Sequence, residues 1–443
     1  MPTGIIRFGG NSFGNKTYLN RLVDELKRST KKTVFVVSAI PKIQNILHEG
    51  LRSLVKHSPD CRSIITDIQN EIGKADIGTE ADGVQTEIAR LEGLLNGIRL
   101  TGDYSVALRD NVISFAERIS VQVFAAFLNL HEIKAAVFYP EDVNFFVTEE
   151  YGNATVLAQE NDHLQRLSFQ QVNLIPGSYG ISQNRKIARL GNRASDYTAS
   201  ALAQILGAES LELWEPGSSF RTADPALVPG TEIIARLTYE EASELSYFTR
   251  SSLHPRLVEP LAETRIPVQI FRLTTSGKKL ETTIGPESAI PGHVVKSVVC
   301  DDEIAILKLN GPGVGYKPGI LAKVTGSFHQ AGINIRSVIT SQVSINIILD
   351  KVDAEKARQI CSETELRSVN ELVVKNEVSL IAVVGHGMQN HHGVSARLFK
   401  AVADQKINVL LSGSGASDLV SYLIIEQVNK ERTIREIHKI FLE

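Results

Sequence analysis

The sequence predicts an α/β protein, with a central, mainly parallel sheet between helices, followed by two smaller α+β layers. Three observations carry this. Strand-like and helix-like segments alternate over roughly the first 290 residues. The run "TVFVVSAI" is a continuous apolar stretch of β-branched residues, typical of a strand buried on both faces. In the last third a pattern recurs at one offset of 74 residues, pairing Gly319 with Gly393, Ala322 with Ala396, Ile333 with Ile407 and Asn334 with Asn408.

The elements follow in order. Gly4 to Phe8 reads as a strand, and Tyr18, Leu19, Leu22, Val23 and Leu26 recur at helical spacing. Between them lies "RFGGNSFGNKT". Gly9 and Gly14 have P-loop spacing, but Asn15 separates Gly14 from Lys16. A P-loop, another phosphate cradle and an ordinary glycine turn all stay open. Residues 43 to 130 are mostly helical by pattern, with a break around "NGIRLTGDYS". "AAVFY", "VNLIPG" and "LELW" are further strands. "SDYTASALAQIL" is a helix with Ser195 or Asp196 at its start. Thr238 and Glu241 have the spacing of a capping box. A Pro- and Gly-rich boundary falls in "TIGPESAIPGH", and each repeat beyond it reads as βαββαβ. The expected domains are 1–290, 298–372 and 373–443.

Composition narrows the function classes. The 443 residues are 43% apolar and 22% charged, with a formal net charge of −3. No long basic run speaks for nucleic acid. No uninterrupted apolar run reaches the ~20 residues of a membrane span, and the N-terminus does not read as a signal peptide. Cys61, Cys300 and Cys361 lack metal-type spacing, and a reducing, cytoplasmic setting is expected. His386, His391 and His392 lie together but read as a surface loop. Tyr197, Trp214, Tyr239 and Phe248 are expected in the core. Glu117, inside the mostly apolar "VISFAERISVQVF", is costly to bury unpaired and needs a cation. That cation is Arg118, another basic side chain, or a ligand's ammonium.

Seven segments taken in order resemble the aspartokinases of the amino-acid kinase family: "RFGGNS", "VVSAIPKIQNIL", "SFAERIS", "LGNRASDYTA", "TADP", "ELSYF" and "LHPRLVEP". The two repeats resemble paired, ferredoxin-like ACT domains. The resemblance implies transfer of the ATP γ-phosphoryl group, with Mg2+, to the β-carboxylate of L-aspartate, the first step towards lysine, threonine and methionine. It implies no tightly bound cofactor, no fused homoserine dehydrogenase, and a homodimer or larger assembly through the ACT repeats. Phosphoryl transfer depends on positioning and charge compensation. The resemblance assigns Arg7, Gly9, Gly10 and Asp196 to the catalytic centre, Arg7 standing where the family has lysine. It assigns Ser38, Gln44, Glu117, Asn192, Arg193 and Ser195 to the substrate. Trp214, Glu215, Arg221, Arg250 and Ser251 fall on the nucleotide side.

The chain departs from the family pattern in these regions. Asn192 replaces an arginine that grips the substrate carboxylate, with Arg193 adjacent, and Gln44 replaces a threonine. Glu215 and Pro216 replace Thr-Asp, Ala226 an arginine and Ser251 a lysine. An inward Glu215 would repel phosphate. Arg221 and Arg250 are the candidate replacement cations. A kinase-shaped protein without turnover, binding an amino acid or regulating a partner, is the rival expectation. For the effector, the resemblance implicates Lys317, Gly319, Ile320, Arg336, Thr340, Ser341 and Gln342. Arg336 stands where lysine-sensing relatives have an aspartate, so lysine is not the expected effector.

Overall fold

The computed structural model describes residues 4–57, 60–74, 80–217, 219–249, 253–286, 294–414 and 417–443. Arg250 and Ser251 lie outside the described residues. By packing, the chain forms two units. The first takes the chain as far as Phe220, the segment Ile233–Tyr247 and the elements between 253 and 286. The second takes the C-terminal region, together with Arg221–Glu232 and a short stretch beginning at Phe248.

The first unit opens with β1 (Gly4–Phe8), α1 (Lys16–Arg28) and β2 (Thr33–Val37). Four helices follow: α2 (Ile43–His57), α3 (Arg62–Lys74), α4 (Asp82–Thr101) and α5 (Val106–Leu130). Then come β3 (Ala135–Val137), the short α6 (Pro140–Val143), β4 (Val172–Pro176), β5 (Tyr179–Ile181), β6 (Ile187–Arg189), α7 (Ser195–Ile205) and β7 (Leu211–Trp214). The unit closes with β8 (Arg236–Thr238), α8 (Tyr239–Thr249), α9 (Glu259–Thr264), β9 (Val268–Thr274) and β10 (Gly277–Gly285). Eight strands form one sheet in the order β3-β4-β2-β1-β7-β9-β10-β8. Every pairing in it is parallel except β9 with β10.

The apolar spacing explains the layers. Tyr18, Leu19, Leu22, Val23 and Leu26 bury one stripe of α1, and all five residues of β2 are buried. The expected helical break falls between α4 and α5, where the Ser105 side chain caps α5 by accepting from the Leu108 N–H at 3.2 Å. α5 is long and apolar enough, by length and composition alone, to cross a membrane, and 89% of its most apolar window is buried inside the protein. The Thr238–Glu241 capping box forms in both directions, at 2.8 and 3.1 Å. Tyr197, Trp214, Tyr239 and Phe248 are all buried.

The second unit runs β11 (Val295–Asp301), β12 (Ile304–Asn310), α10 (Ile320–Ala331), β13 (Ile335–Thr340), β14 (Ser344–Asp350), α11 (Ala354–Glu363) and β15 (Glu371–Lys375). It continues with β16 (Val378–Gly385), α12 (Val394–Asp404), β17 (Leu411–Ser414), β18 (Val420–Glu426) and α13 (Lys430–Leu442). One sheet is β13-β14-β12-β15 and the other β11-β16-β18-β17. The first repeat is therefore βαββαβ, as expected. The second differs: from β16 to α13 it is βαββα, and its fourth strand is β11, paired antiparallel to β16. The edge of β16 would otherwise leave a row of backbone donors and acceptors unpaired. The segment Arg221–Glu232 joins the same core, burying Ala223 and Val228 against it.

Candidate functional site

In a parallel sheet, ligands gather beyond the carboxyl ends of the strands. Here the ends of four neighbouring strands, β4, β2, β1 and β7, deliver Ser178, Ser38, the Gly9–Gly10 pair and Glu215 in that order. The first turn of α7 adds Ser195 and Asp196, and α5 adds Glu117 from the middle of its length. Arg7, Gly10, Asn11, Ser38, Gln44, Glu117, Ser178, Arg193, Ser195 and Glu215 are among the residues lining one cavity of about 430 Å³.

Arg7 is buried at the centre. Its Nε donates to Asp196 Oδ1 and its Nη1 to Glu215 Oε2. Burial alone would lower the Arg7 pKa, but the two carboxylates outweigh it and hold the guanidinium charged. Asp196 is fully buried; its pKa is raised by burial, with Arg7 opposing the rise. Its second oxygen accepts the His254 N–H at 2.7 Å. Asp196 is thus no helix cap: α7 has no side-chain cap, and this carboxylate points at Arg7. Ser195 likewise turns from the cap to Ser38, their hydroxyl oxygens 2.6 Å apart. Burial, aided by Arg256, pushes the pKa of His254 down to about 4, so its ring is neutral and Nδ1 accepts the Arg256 N–H.

The glycine pair serves close approach, though not to an open phosphate cradle. Glu215 lies against Gly9: a Cβ there would meet Glu215 Cδ at 2.2 Å. A Cβ on Gly10 would strike the Ala39 carbonyl oxygen at 1.9 Å. Asn11 Nδ2 donates to Glu215 Oε1 at 2.9 Å, completing the grip on that carboxylate. Lys16 is exposed at the start of α1, which Asn15 caps, so the loop is not a P-loop. Glu215 therefore points inward.

Glu117 lies 2% exposed, and burial pushes its pKa up to about 7 against the pull of Arg189 and a hydrogen bond from Ser178. Its Oε2 has no hydrogen-bond partner. Arg118 is not its cation: that guanidinium is held by Glu87 and Glu141. The nearby cation is Arg189, whose Nη2 stands 4.0 Å from Glu117 Oε1. Arg189 belongs to no motif in the sequence; only its place at the end of β6 shows its part. Gln44, with its amide oriented by its partners, accepts from Arg189 Nη1 at 3.2 Å and Nη2 at 2.7 Å.

The other expected residues divide between the cavity and places outside it. Asn192 and Arg193 are exposed; Arg193 lines the cavity and Asn192 does not. Trp214 does not reach the cavity: its ring packs in the core, edge-on to Phe35 at 5.9 Å. Arg221 is committed within the second unit, its guanidinium donating to the Thr231 hydroxyl and carbonyl. In that unit the loop before α10, which carries Lys317 and ends at Gly319 and Ile320, meets the β13–β14 turn with Thr340, Ser341 and Gln342. There the Gly315 N–H donates to the Gln342 carbonyl at 3.2 Å. Arg336 is not brought to this loop. It sits at the other end of β13, its side chain buried and paired with Asp301 and, at 3.7 Å, Asp350.

Comparison with known proteins agrees with this architecture. The amino acid kinase family matches residues 3–272 and the ACT domain matches residues 307–364 and 381–441. Aspartokinase 1, chloroplastic, of Arabidopsis thaliana is 25% identical, covering 100% of this chain and 80% of its own length. The bifunctional aspartokinase/homoserine dehydrogenase of Buchnera aphidicola is also 25% identical, over 98% of this chain, which spans only 56% of that relative. Escherichia coli aspartokinase III, solved with aspartate and ADP, shares the fold at a TM-score of 0.82 and 21% identity, with both chains covered completely. The same protein has been solved with lysine and aspartate, at a TM-score of 0.78 and 22% identity. The chain belongs to the amino acid kinase family and carries a pair of ACT domains behind its kinase-type region.

Proposed function

We propose that this protein is an aspartate kinase, transferring the γ-phosphoryl group of ATP to the side-chain carboxylate of L-aspartate under control of its ACT pair. The observation that carries the reading is Glu117 Oε2, a buried carboxylate oxygen without a partner, on the same cavity as Arg7, Ser38 and Ser195. An acceptor's ammonium satisfies Glu117. Its side-chain carboxylate then lies towards the Ser38 and Ser195 hydroxyls, which donate to it. Arg7, oriented by Asp196, offsets charge on the transferring oxygens. Aspartokinase III binding aspartate and ADP supports the choice of acceptor and nucleotide.

Magnesium enters with ATP as part of the co-substrate. Asp196 and Glu215 already spend their oxygens on protein donors. Among the described residues no group of three His, Cys, Asp or Glu side chains is placed to hold a metal ion.

A second reading rests on Glu215. Its carboxylate occupies the space beside Gly9 and engages Arg7 Nη1, where a phosphate would need that donor. With that contact kept, the protein binds an amino acid without turnover and acts as a regulatory partner. Trapping acyl phosphate with hydroxylamine, from Mg-ATP and L-aspartate, separates the two. Product that disappears in Asp196→Asn supports the kinase; aspartate binding by calorimetry without product supports the second reading.

The ACT pair implies a homo-oligomer and an amino-acid effector other than lysine, because Arg336 stands where a carboxylate would meet lysine's ammonium, and the carboxylates beside it, Asp301 and Asp350, are already paired with its guanidinium. Three unpaired cysteines support a reducing compartment, the cytoplasm.

A further inference from the structure

An amino-acid ligand on Glu117 brings a carboxylate as well as an ammonium, and that carboxylate needs a cation. The described cations near the cavity differ in availability. Arg7 has donors committed to both Asp196 and Glu215. Lys42 is 66% exposed, and Arg193 lies at the exposed rim. Arg189 is 3% exposed, and its Nε has no partner. Its backbone is pinned, since Asp110 Oδ2 accepts the Arg189 N–H at 2.9 Å and the Gly152 N–H at 2.6 Å. Among the described residues, the hydrogen bonds from its two terminal nitrogens go to Gln44, a half-buried side chain on the cavity wall.

We propose that Arg189, uncovered by a turn of Gln44, grips the α-carboxylate of the acceptor while Glu117 holds its α-ammonium. This deepens the acceptor reading above and rests on it for the identity of the side chain, though not for the α-amino-acid head. The 4.0 Å between Glu117 Oε1 and Arg189 Nη2 is too long for a hydrogen bond. Two charges of opposite sign with open valences at this spacing fit a zwitterion laid antiparallel to them, each charge meeting its opposite. A guanidinium binds a carboxylate through two parallel donors, and an amide oxygen is a weaker competitor for those donors than a carboxylate. Arg189 itself stands behind the cavity wall, next to the lining residues Gln44 and Glu117, and Asn192, which is also off the lining, carries no charge to do this work.

The test is calorimetric titration of the full-length protein with L-aspartate and with β-alanine, which keeps an ammonium and a carboxylate but lacks the α-carboxylate. Wild type is expected to prefer L-aspartate. In Arg189→Gln, L-aspartate affinity should fall about 100-fold, the scale of a lost charge-assisted pair, with β-alanine unchanged. Gln44→Glu, a substitution at a half-buried position, should hold Arg189 with a carboxylate and weaken L-aspartate in the same selective way. Equal loss of both ligands, or loss in Asn192→Ala with none in Arg189→Gln, overturns the proposal. If L-asparagine or L-glutamate binds, L-aspartate does not, and binding is lost in Arg189→Gln, the anchor stands and the aspartate reading falls. If no L-α-amino acid binds wild type, both fall.

Discussion

Arg7 of β1 and Glu215, the residue after β7, form a buried ion pair across two adjacent parallel strands, with Gly9 leaving the room for it. Asp196 holds the same guanidinium, so one cation sits between two carboxylates and the cluster is formally negative when all three are ionised. Phosphate must either displace Glu215 or bind against it.

Glu215→Gln removes that charge while keeping the shape. ATP affinity by calorimetry should rise about tenfold or more, equivalent to ~1.4 kcal/mol of relieved repulsion. Unchanged or weaker binding would show that Glu215 does not oppose the nucleotide.

The state of Glu117 sets a pH dependence. Its ordinary value is 4.5 and its folded value about 7. Between the two, the folded protein keeps a proton that the unfolded chain has released. Its contribution to stability is therefore full below pH 4.5 and is lost as pH rises through 7. Binding of an amino acid's ammonium requires the carboxylate, so affinity should climb up to about tenfold per pH unit below 7 and level off above it. Titrations from pH 5.5 to 8.5 read this directly, and Glu117→Gln should weaken binding and flatten the profile.

In the second unit, Asp301→Asn takes a charged partner from the buried Arg336 side chain, which Asp350 faces at 3.7 Å. Loss of one partner of a buried pair costs about 3 kcal/mol. Thermal melting should show the second unit unfolding earlier. Millimolar L-lysine should leave the wild-type melting curve where it is; a clear upward shift would refute the exclusion of lysine.

Thr238→Ala removes one arm of the capping box at the start of α8. Hydrogen exchange of the first-turn amides should accelerate by the equivalent of about 1 kcal/mol, while α7 amides stay unchanged.

Local chemistry was legible in the sequence where it is written locally. The Thr238–Glu241 spacing, the β-branched run of β2 and the break before Ser105 depend on neighbours within a few residues, and they fold as read. The segment order placed Arg7, Ser38, Glu117 and Ser195 on one cavity. What was hidden depends on distant partners. From its local sequence Asp196 could equally start its helix as a cap, because the partner that engages it, Arg7, is 189 residues away. Arg189 carries no motif, and its role appears only when β6 meets α5. Trp214 packs in the core as its residue type predicts, and strand alternation leaves the next residue, Glu215, to face the cavity, which its motif position did not show. Strand pairing in the repeats was likewise beyond pattern, because nothing within β11, buried along nearly its whole length, names β16 as its neighbour.

The placement of β11 has a consequence for biosynthesis. This strand leaves the ribosome before the entire first repeat, yet its partner β16 emerges only after β15, the last strand of that repeat's sheet, has been made. During that interval the first repeat can assemble while β11 waits unpaired, and the tandem closes last around a segment made first. Amide-exchange pulses on chains stalled at successive lengths should show β12 protected before β11; the reverse order would mean that β11 finds another temporary partner.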